Sequence, residues 1–166
     1  MSRLLRYFAP DQTCFVTAVT ARRERLLVDN MDLLQEALRA ARRRSRFSLL
    51  AWVVLPDHTH ALLRNPSGDT DRIVQRVKLS FSLKLRRRLG RSGPFWQHRY
   101  CDHIIRSDED LKRHLDYIHY NPVKHELVSR PLEWSLSSYR RYCRRRFYPE
   151  DWGHNEIAFQ GIDFGE

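Results

Sequence analysis

One stretch constrains this chain more than any other. Residues Phe47–Leu55 (FSLLAWVVL) are almost continuously apolar, and a Pro56-Asp57 turn signal separates them from His58–Arg64 (HTHALLR). A run of that length between breakers reads as a strand covered on both faces, and its unbroken apolarity places it at the centre of a sheet. The short turn hands it to a second strand, which predicts a tight antiparallel hairpin.

The other segments arrange themselves around that hairpin. Thr13–Thr20 (TCFVTAVT) is rich in β-branched residues and reads as a strand. Asp29 or Asn30 can cap a helix whose apolar residues Leu34, Ala37, Leu38 and Ala41 follow the 3, 4, 7 spacing, closed by Arg42–Arg44. Asp69 or Thr70 can cap a second helix through Ile73, Val77, Phe81 and Leu85, which Gly90–Pro94 breaks. Cys101–Ile105 reads as a further strand. Ser107 is an N-cap with Asp108, Glu109 and Asp110 in the first turn, where negative charge is favoured. This third helix runs to about Tyr120, and Pro122 predicts its end. Trp134–Arg146 reads as helical near its end, and Tyr148–Glu166 is poorly specified.

Strand, helix, strand, strand, helix, strand, helix is the split βαβ order. The expected fold is α+β and ferredoxin-like: a four-stranded antiparallel sheet, two helices on one face, a third helix on the other face or an edge, and a C-terminal helical extension. At 166 residues one domain is expected. No apolar stretch approaches the roughly 20 residues of a membrane helix, and Met1–Pro10 lacks the apolar block of a secretion signal. The cysteines, Cys14, Cys101 and Cys143, form no CxxC pair, which gives no support to a zinc ribbon or redox motif and fits a reducing, cytoplasmic setting. The formal charge is +10 and is clumped at Arg42–Arg44, Arg86–Arg88 and Arg144–Arg146. Such a balance points to a polyanion partner.

Two patterns could carry chemistry. His58 and His60 lie two apart on a predicted strand, so their imidazoles share a face and suit a divalent metal. On the third helix, Leu111, Leu115 and Ile118 form an apolar stripe, with His114, Tyr117 and Asn121 along one flank. Each pattern alone has an ordinary structural account: exposed histidines on a strand, or a tyrosine at a core boundary. Together they suggest more. A tyrosine hydroxyl can attack phosphorus, a divalent ion on the histidines can offset the charge that builds there, and the Asn121 amide, one turn after Tyr117, can complete the ligand set. Imidazoles lean toward transition metals, while phosphoryl transfer favours Mg2+ or Mn2+.

These residues carry a resemblance. Val54-Leu55-Pro56-Asp57-His58-Thr59-His60-Ala61-Leu62-Leu63 is similar to the His-hydrophobic-His strand of the HUH single-strand DNA transposases. Phe95–Tyr100 (FWQHRY), Asp102–Arg106 (DHIIR), Tyr117–Lys124 (YIHYNPVK) and the Trp134-Ser135 and Ser137-Ser138-Tyr139 segments resemble the REP-associated tyrosine transposases. The resemblance runs from about Tyr7 to Tyr142, so residues 1–142 are expected to form the nuclease domain and 143–166 a tail that is packed on it or flexible. It implies a metal-dependent endonuclease and strand transferase acting on single-stranded or hairpin DNA of the repetitive extragenic palindrome type. The implied intermediate is a 5′-phosphotyrosine with a free 3′-hydroxyl. His58 and His60 match the metal histidines, Tyr117 the nucleophile and Asn121 the amide ligand. Thr59 departs from the bulky apolar residue usual between the histidines; it should point into the opposite layer, where its hydroxyl needs a partner.

Arg22, Arg23 and Arg25 after the first strand, and Arg99 and Arg106 around the fourth, are the expected DNA contacts. Trp96 is a candidate for base stacking, with sheet packing as its alternative. Lys78, Lys84 and Arg86–Arg88 read equally well as a solvated helix face. Tyr120 is a rival nucleophile that helical phase disfavours. The protein is expected to work as a monomer or homodimer near the nucleoid. Two other functions fit the same pattern: a non-catalytic nucleic-acid-binding module on a ferredoxin-like sheet, and a metallo-phosphoesterase using activated water, for which Tyr117 would be dispensable.

Overall fold

A computed structural model describes residues 12–149, 151–153, 157, 159, 164 and 165. The start of the family resemblance at Tyr7, the Met1–Pro10 segment and much of the tail fall outside them. The elements are β1 (Gln12–Val19), α1 (Met31–Arg42), β2 (Ser48–Val54), β3 (His58–Asn65), α2 (Thr70–Leu89), β4 (Cys101–Ile104), α3 (Asp108–Lys124) and α4 (Tyr139–Arg144), with 3-10 turns at Ala21–Arg23 and Pro131–Glu133. The strands form one antiparallel sheet in the order β2-β3-β1-β4, which is the expected split βαβ arrangement.

Strand alternation divides the core into two layers. Ala18 and Val54 face α1 and α2, where they meet Leu33, Leu34, Ala37, Phe81 and Leu85. Phe15, Ala51, Val53 and Leu62 face the opposite way and meet Leu115, Tyr117 and Ile118 of α3. Helix α3 therefore covers the second face of the sheet, with its apolar stripe turned inward. Arg88 and Lys84 of α2 pair with Asp32 and Glu36 of α1, each at 2.5 Å. Those cations belong to a solvated helix face, and the Arg88 hydrogen bond holds the Asp32 carboxyl at about 2.

Two expectations are corrected. The apolar run of β2 lies at an edge of the sheet, not at its centre. Its free side is closed by residues 134–138. Val54 N donates to Leu136 O (2.9 Å), Ser138 N to Trp52 O (2.9 Å), and Trp134 Nε1 to Val54 O (3.0 Å). Unpaired edge groups are a liability that native proteins cover, and a strand packed on both faces and along its rim carries the apolarity of a central one. The segment ahead of α4 thus lies along the sheet edge, and helix occupies Tyr139–Arg144, near the end of Trp134–Arg146 as expected.

The second correction concerns Pro122, which lies inside α3; the helix runs on to Lys124. A proline removes one backbone donor, and the end is made farther along. Glu126 N donates to Val123 O and Leu127 N to Pro122 O, both at 2.9 Å, with Glu126 at φ 56°. That is a Schellman closure with a glutamate in the left-handed position. Two of the described tail residues reach the core. Tyr148 and Phe164 are buried. His119 of α3 bonds the Tyr148 hydroxyl (2.9 Å) and Ser138 Oγ (2.8 Å), and burial, with Arg141 nearby, pushes its imidazole down to about 3.

Candidate active site

The site forms between β3 and α3. Leaving the Pro56-Asp57 turn, β3 aims His58 and His60 at α3, and both side chains are buried, at 1% and 0% exposure. Their rings meet edge to face with centroids 5.0 Å apart. Hydrogen bonding sets the tautomer of each. His58 Nδ1 lies 2.7 Å from Asp57 Oδ1, and a carboxylate only accepts, so Nδ1 carries the proton. His60 Nδ1 lies 2.7 Å from Thr17 Oγ1, which donates its own hydrogen to Phe164 O at 2.6 Å. Thr17 can then only accept from His60. With Nδ1 protonated, the neutral form of each imidazole leaves its lone pair on Nε2, the arrangement that outer partners impose on metal-binding histidines. Partial burial pushes the Asp57 carboxyl up, but its hydrogen bond to His58 and the Arg23 guanidinium 3.4 Å away outweigh that and hold it below the usual range. Thr59 faces the α1/α2 layer, as its parity requires, and its hydroxyl donates to Val53 O at 2.8 Å.

Helix α3 supplies the rest. Tyr117 is 1% exposed, with its ring 5.3 Å from that of His60. Lys124, two turns on, donates from Nζ to the Tyr117 hydroxyl at 2.9 Å. His125 caps the helix with its ring 4.9 Å from that of His58. Tyr117, Asn121 and His125 are spaced four apart, so they run along one side of the helix, with the first beside His60 and the last beside His58. Asn121 is buried between these ends. Tyr120 turns elsewhere, toward Trp152 and Phe159.

Thr17, Lys124, His125 and Phe164 are site residues that sequence reasoning missed. Lys124 had a usable signal, being seven residues from Tyr117 and hence on its face. Phe164 had none: it stacks on Tyr117 with centroids 3.5 Å apart and planes 5° off parallel, across a long span of chain.

The expected DNA contacts divide. Arg22, Arg23, Arg25, Arg99 and Arg106 are exposed. Arg22 and Arg23 both sit at φ 56°, in a turn held by Thr20 N to Asp57 O (2.8 Å) and Ala21 N to Phe95 O (3.0 Å). Strain of this kind, about 1–3 kcal/mol per residue, persists where its surroundings over-determine it. Trp96 is buried against Phe81, with ring centroids 5.3 Å apart, so its place is in the core rather than open to a base. A separate group able to hold a metal ion, His103, Asp110 and His114, lies beyond Phe15, whose ring is 5.4 Å from His60 and 4.7 Å from His114.

Residues 12–121 match the model of the family described as Transposase IS200 like. The chain belongs to that family. Within the IS200-like transposases its relatives are specific. A REP-associated tyrosine transposase from Escherichia coli K12 is 36% identical over 96% of this chain and 95% of its own length. A Haemophilus influenzae relative of the same type is 35% identical over 93% and 95%. A solved structure of a REP-associated tyrosine transposase bound to a REP hairpin superposes with a TM-score of 0.82 at 34% identity, covering 100% of this chain and 98% of the other. The chain is accordingly an IS200-like enzyme of the REP-associated tyrosine branch. Its family match spans β1 through Asn121, the stretch that carries the histidine pair and Tyr117. Among its described residues no helix is long and apolar enough to cross a membrane.

Proposed function

We propose that this transposase cuts single-stranded or hairpin DNA in a metal-dependent reaction in which Tyr117 is the nucleophile, and that it then transfers the strand. The observation that carries the reading is the placement of a buried tyrosine hydroxyl beside a histidine pair and within 2.9 Å of an ammonium group. The Tyr117 oxygen–phosphorus bond forms as the phosphorus–O3′ bond breaks. The phenol gives up its proton and the departing 3′-oxygen takes one, leaving a 5′-phosphotyrosine and a free 3′-hydroxyl. Lys124 offsets the negative charge on the phenolic oxygen as that proton leaves.

The donor set fits a divalent cation. Two imidazoles whose Nδ1 atoms are bonded to Asp57 and Thr17 share a face, and a buried amide, Asn121, lies on the helix packed against them. His58, His60 and Asn121 would hold Mn2+ or Mg2+, with imidazoles favouring Mn2+. Such an ion supplies Lewis acidity to a phosphoryl oxygen. Arg23, tied to Asp57 beside His58, with Arg22 and Arg25 in the same turn, is placed to hold backbone phosphates at the histidine end. Arg99 and Arg106 would do so near β4. The hairpin in the related complex supports a structured palindrome as the partner.

A single experiment tests this. The protein is incubated with a labelled REP-type hairpin and Mn2+, then run on a denaturing gel. A covalent adduct is expected from the wild type and from Tyr120→Phe, and none from Tyr117→Phe or His58→Ala. An adduct persisting in Tyr117→Phe removes the nucleophile assignment. Cleavage by His58→Ala in chelator removes the metal assignment.

A further inference from the structure

We propose that His103, Asp110 and His114 form a second metal site, suited to Zn2+ or a similar transition-metal dication, that clamps the edge strand β4 to the first turns of α3. It is independent of the tyrosine chemistry and of the histidine pair on β3.

The donors come from two elements. His103 projects from β4, while Asp110 and His114 are one turn apart on α3 and share its face. One ligand atom from each lies within 4.8 Å of the other two. His103 Nε2 is 2.8 Å from Asp110 Oδ2, and His114 Nδ1 is 3.0 Å from Asp110 Oδ1. Tetrahedral zinc holds nitrogen and oxygen ligands at about 2.0–2.2 Å, which spaces them roughly 3.3 Å from one another. Small movements of the side chains therefore admit an ion where the carboxylate now bridges the two rings. The rings are nearly parallel, 12° apart with centroids at 4.7 Å, so both present an edge to the same carboxylate.

Burial pushes His114 down, so it is a neutral donor at ordinary pH. His114 Nδ1 also donates to the Asp110 carbonyl oxygen at 2.8 Å, so ligation through Nδ1 gives up that bond and moves the proton to the buried Nε2. Partial burial pushes the Asp110 carboxyl up, but His103 and the Arg106 amide outweigh it and keep it ionised. Asp108 and Glu109 in the same helical turn add negative charge against the positive end of the helix. His103 is 33% exposed, which gives an ion a way in.

Phe15 stands between the two candidate sites, with its ring in contact range of both His60 and His114. The donor chemistry also differs. Two histidines and a carboxylate suit zinc, whereas the β3 site pairs two histidines with an amide. The competing account of His103, Asp110 and His114 is a proton-only network in which Asp110 caps the helix start and bonds both rings.

Co2+ distinguishes these, because tetrahedral coordination gives it intense visible absorption. The full chain is titrated with Co2+ as the wild type, as the His58→Ala/His60→Ala double variant, and as His103→Ala. A tetrahedral spectrum is expected in the wild type and the double variant, and affinity about 100-fold weaker in His103→Ala. Zn2+ should raise the melting temperature of the first two proteins and not of the third. His103 lies at the solvent edge, and the metal-free melting temperature of its variant reports whether the fold is intact. If the spectrum and the melting shift vanish with His58 and His60, or if His103→Ala titrates like the wild type, the second site does not exist.

Discussion

Replacing Lys124 with alanine removes the ammonium that donates to the proposed nucleophile at 2.9 Å. A hydrogen bond to a charged group contributes about 1.5–3 kcal/mol. Lys124 is exposed, and solvent screening puts its share in the lower half, about 1.5–2 kcal/mol. If that stabilisation is realised as the phenol loses its proton, adduct formation slows by about 10–30-fold. The assay is single-turnover formation of the covalent complex on a hairpin substrate, quenched into denaturant, across a pH series. The deficit should be largest near neutrality and shrink toward pH of about 10, where a free phenol ionises unaided. Lys124→Arg should recover much of the rate, because the charge remains. Wild-type rates in Lys124→Ala refute the role. A deficit that is the same at every pH refutes the charge argument and leaves only packing.

Three further outcomes are expected. Asp57→Ala removes the acceptor that fixes the His58 tautomer; the Mn2+ concentration for half-maximal adduct should rise about 10–100-fold, and an unchanged value would sink the orienting role. Phe164→Ala uncovers the face of Tyr117; an aromatic pair worth about 0.5–1.5 kcal/mol no longer has to part before DNA enters, so adduct formation should speed up by about 2–10-fold, and slower formation would count against the stack as an obstacle. His119 is held neutral down to about 3 in the fold, whereas a free imidazole titrates near about 6.5. The unfolded chain therefore binds the extra proton between those values, and stability is complete above about 6.5 and falls by up to about 1.4 kcal/mol per pH unit below it. Melting temperature against pH checks this, and His119→Gln should flatten the slope.

Most of the architecture is legible in the chain because period and breakers agree. The 3, 4, 7 spacing of Leu34, Ala37, Leu38 and Ala41, and the β-branched run Thr13–Thr20, each fit one kind of element. The histidine pair is legible for the same reason: strand parity alone puts both rings on one face. The misreadings fall where a local rule met a tertiary partner. Pro122 signals a helix end, but the Glu126 turn and burial against the sheet carry the helix past it. Phe47–Leu55 resembles a central strand because residues 134–138, far along the chain, cover its rim. Trp96 looked available to a base because nothing nearby in sequence announces Phe81 as its neighbour. Thr17 and Phe164 were invisible as site residues for a similar reason: their roles arise only when β1, β3 and the tail meet.

The irregularity in β2 has a consequence for how this transposase tolerates insertions. Pairing with β3 shifts between Leu49 and Ala51, upstream of the Val53–His60 and Val54–Thr59 pairs. The reading frame of the site is therefore counted backwards from the Asp57 turn. A residue inserted before Ala51 can be absorbed where the ladder already slips. One inserted between His58 and His60 turns an imidazole into the aliphatic layer, because alternation has a period of two, and an insertion of two keeps parity but separates the rings. Length changes among relatives should thus gather on the far side of the slip and stay out of the hairpin's mouth.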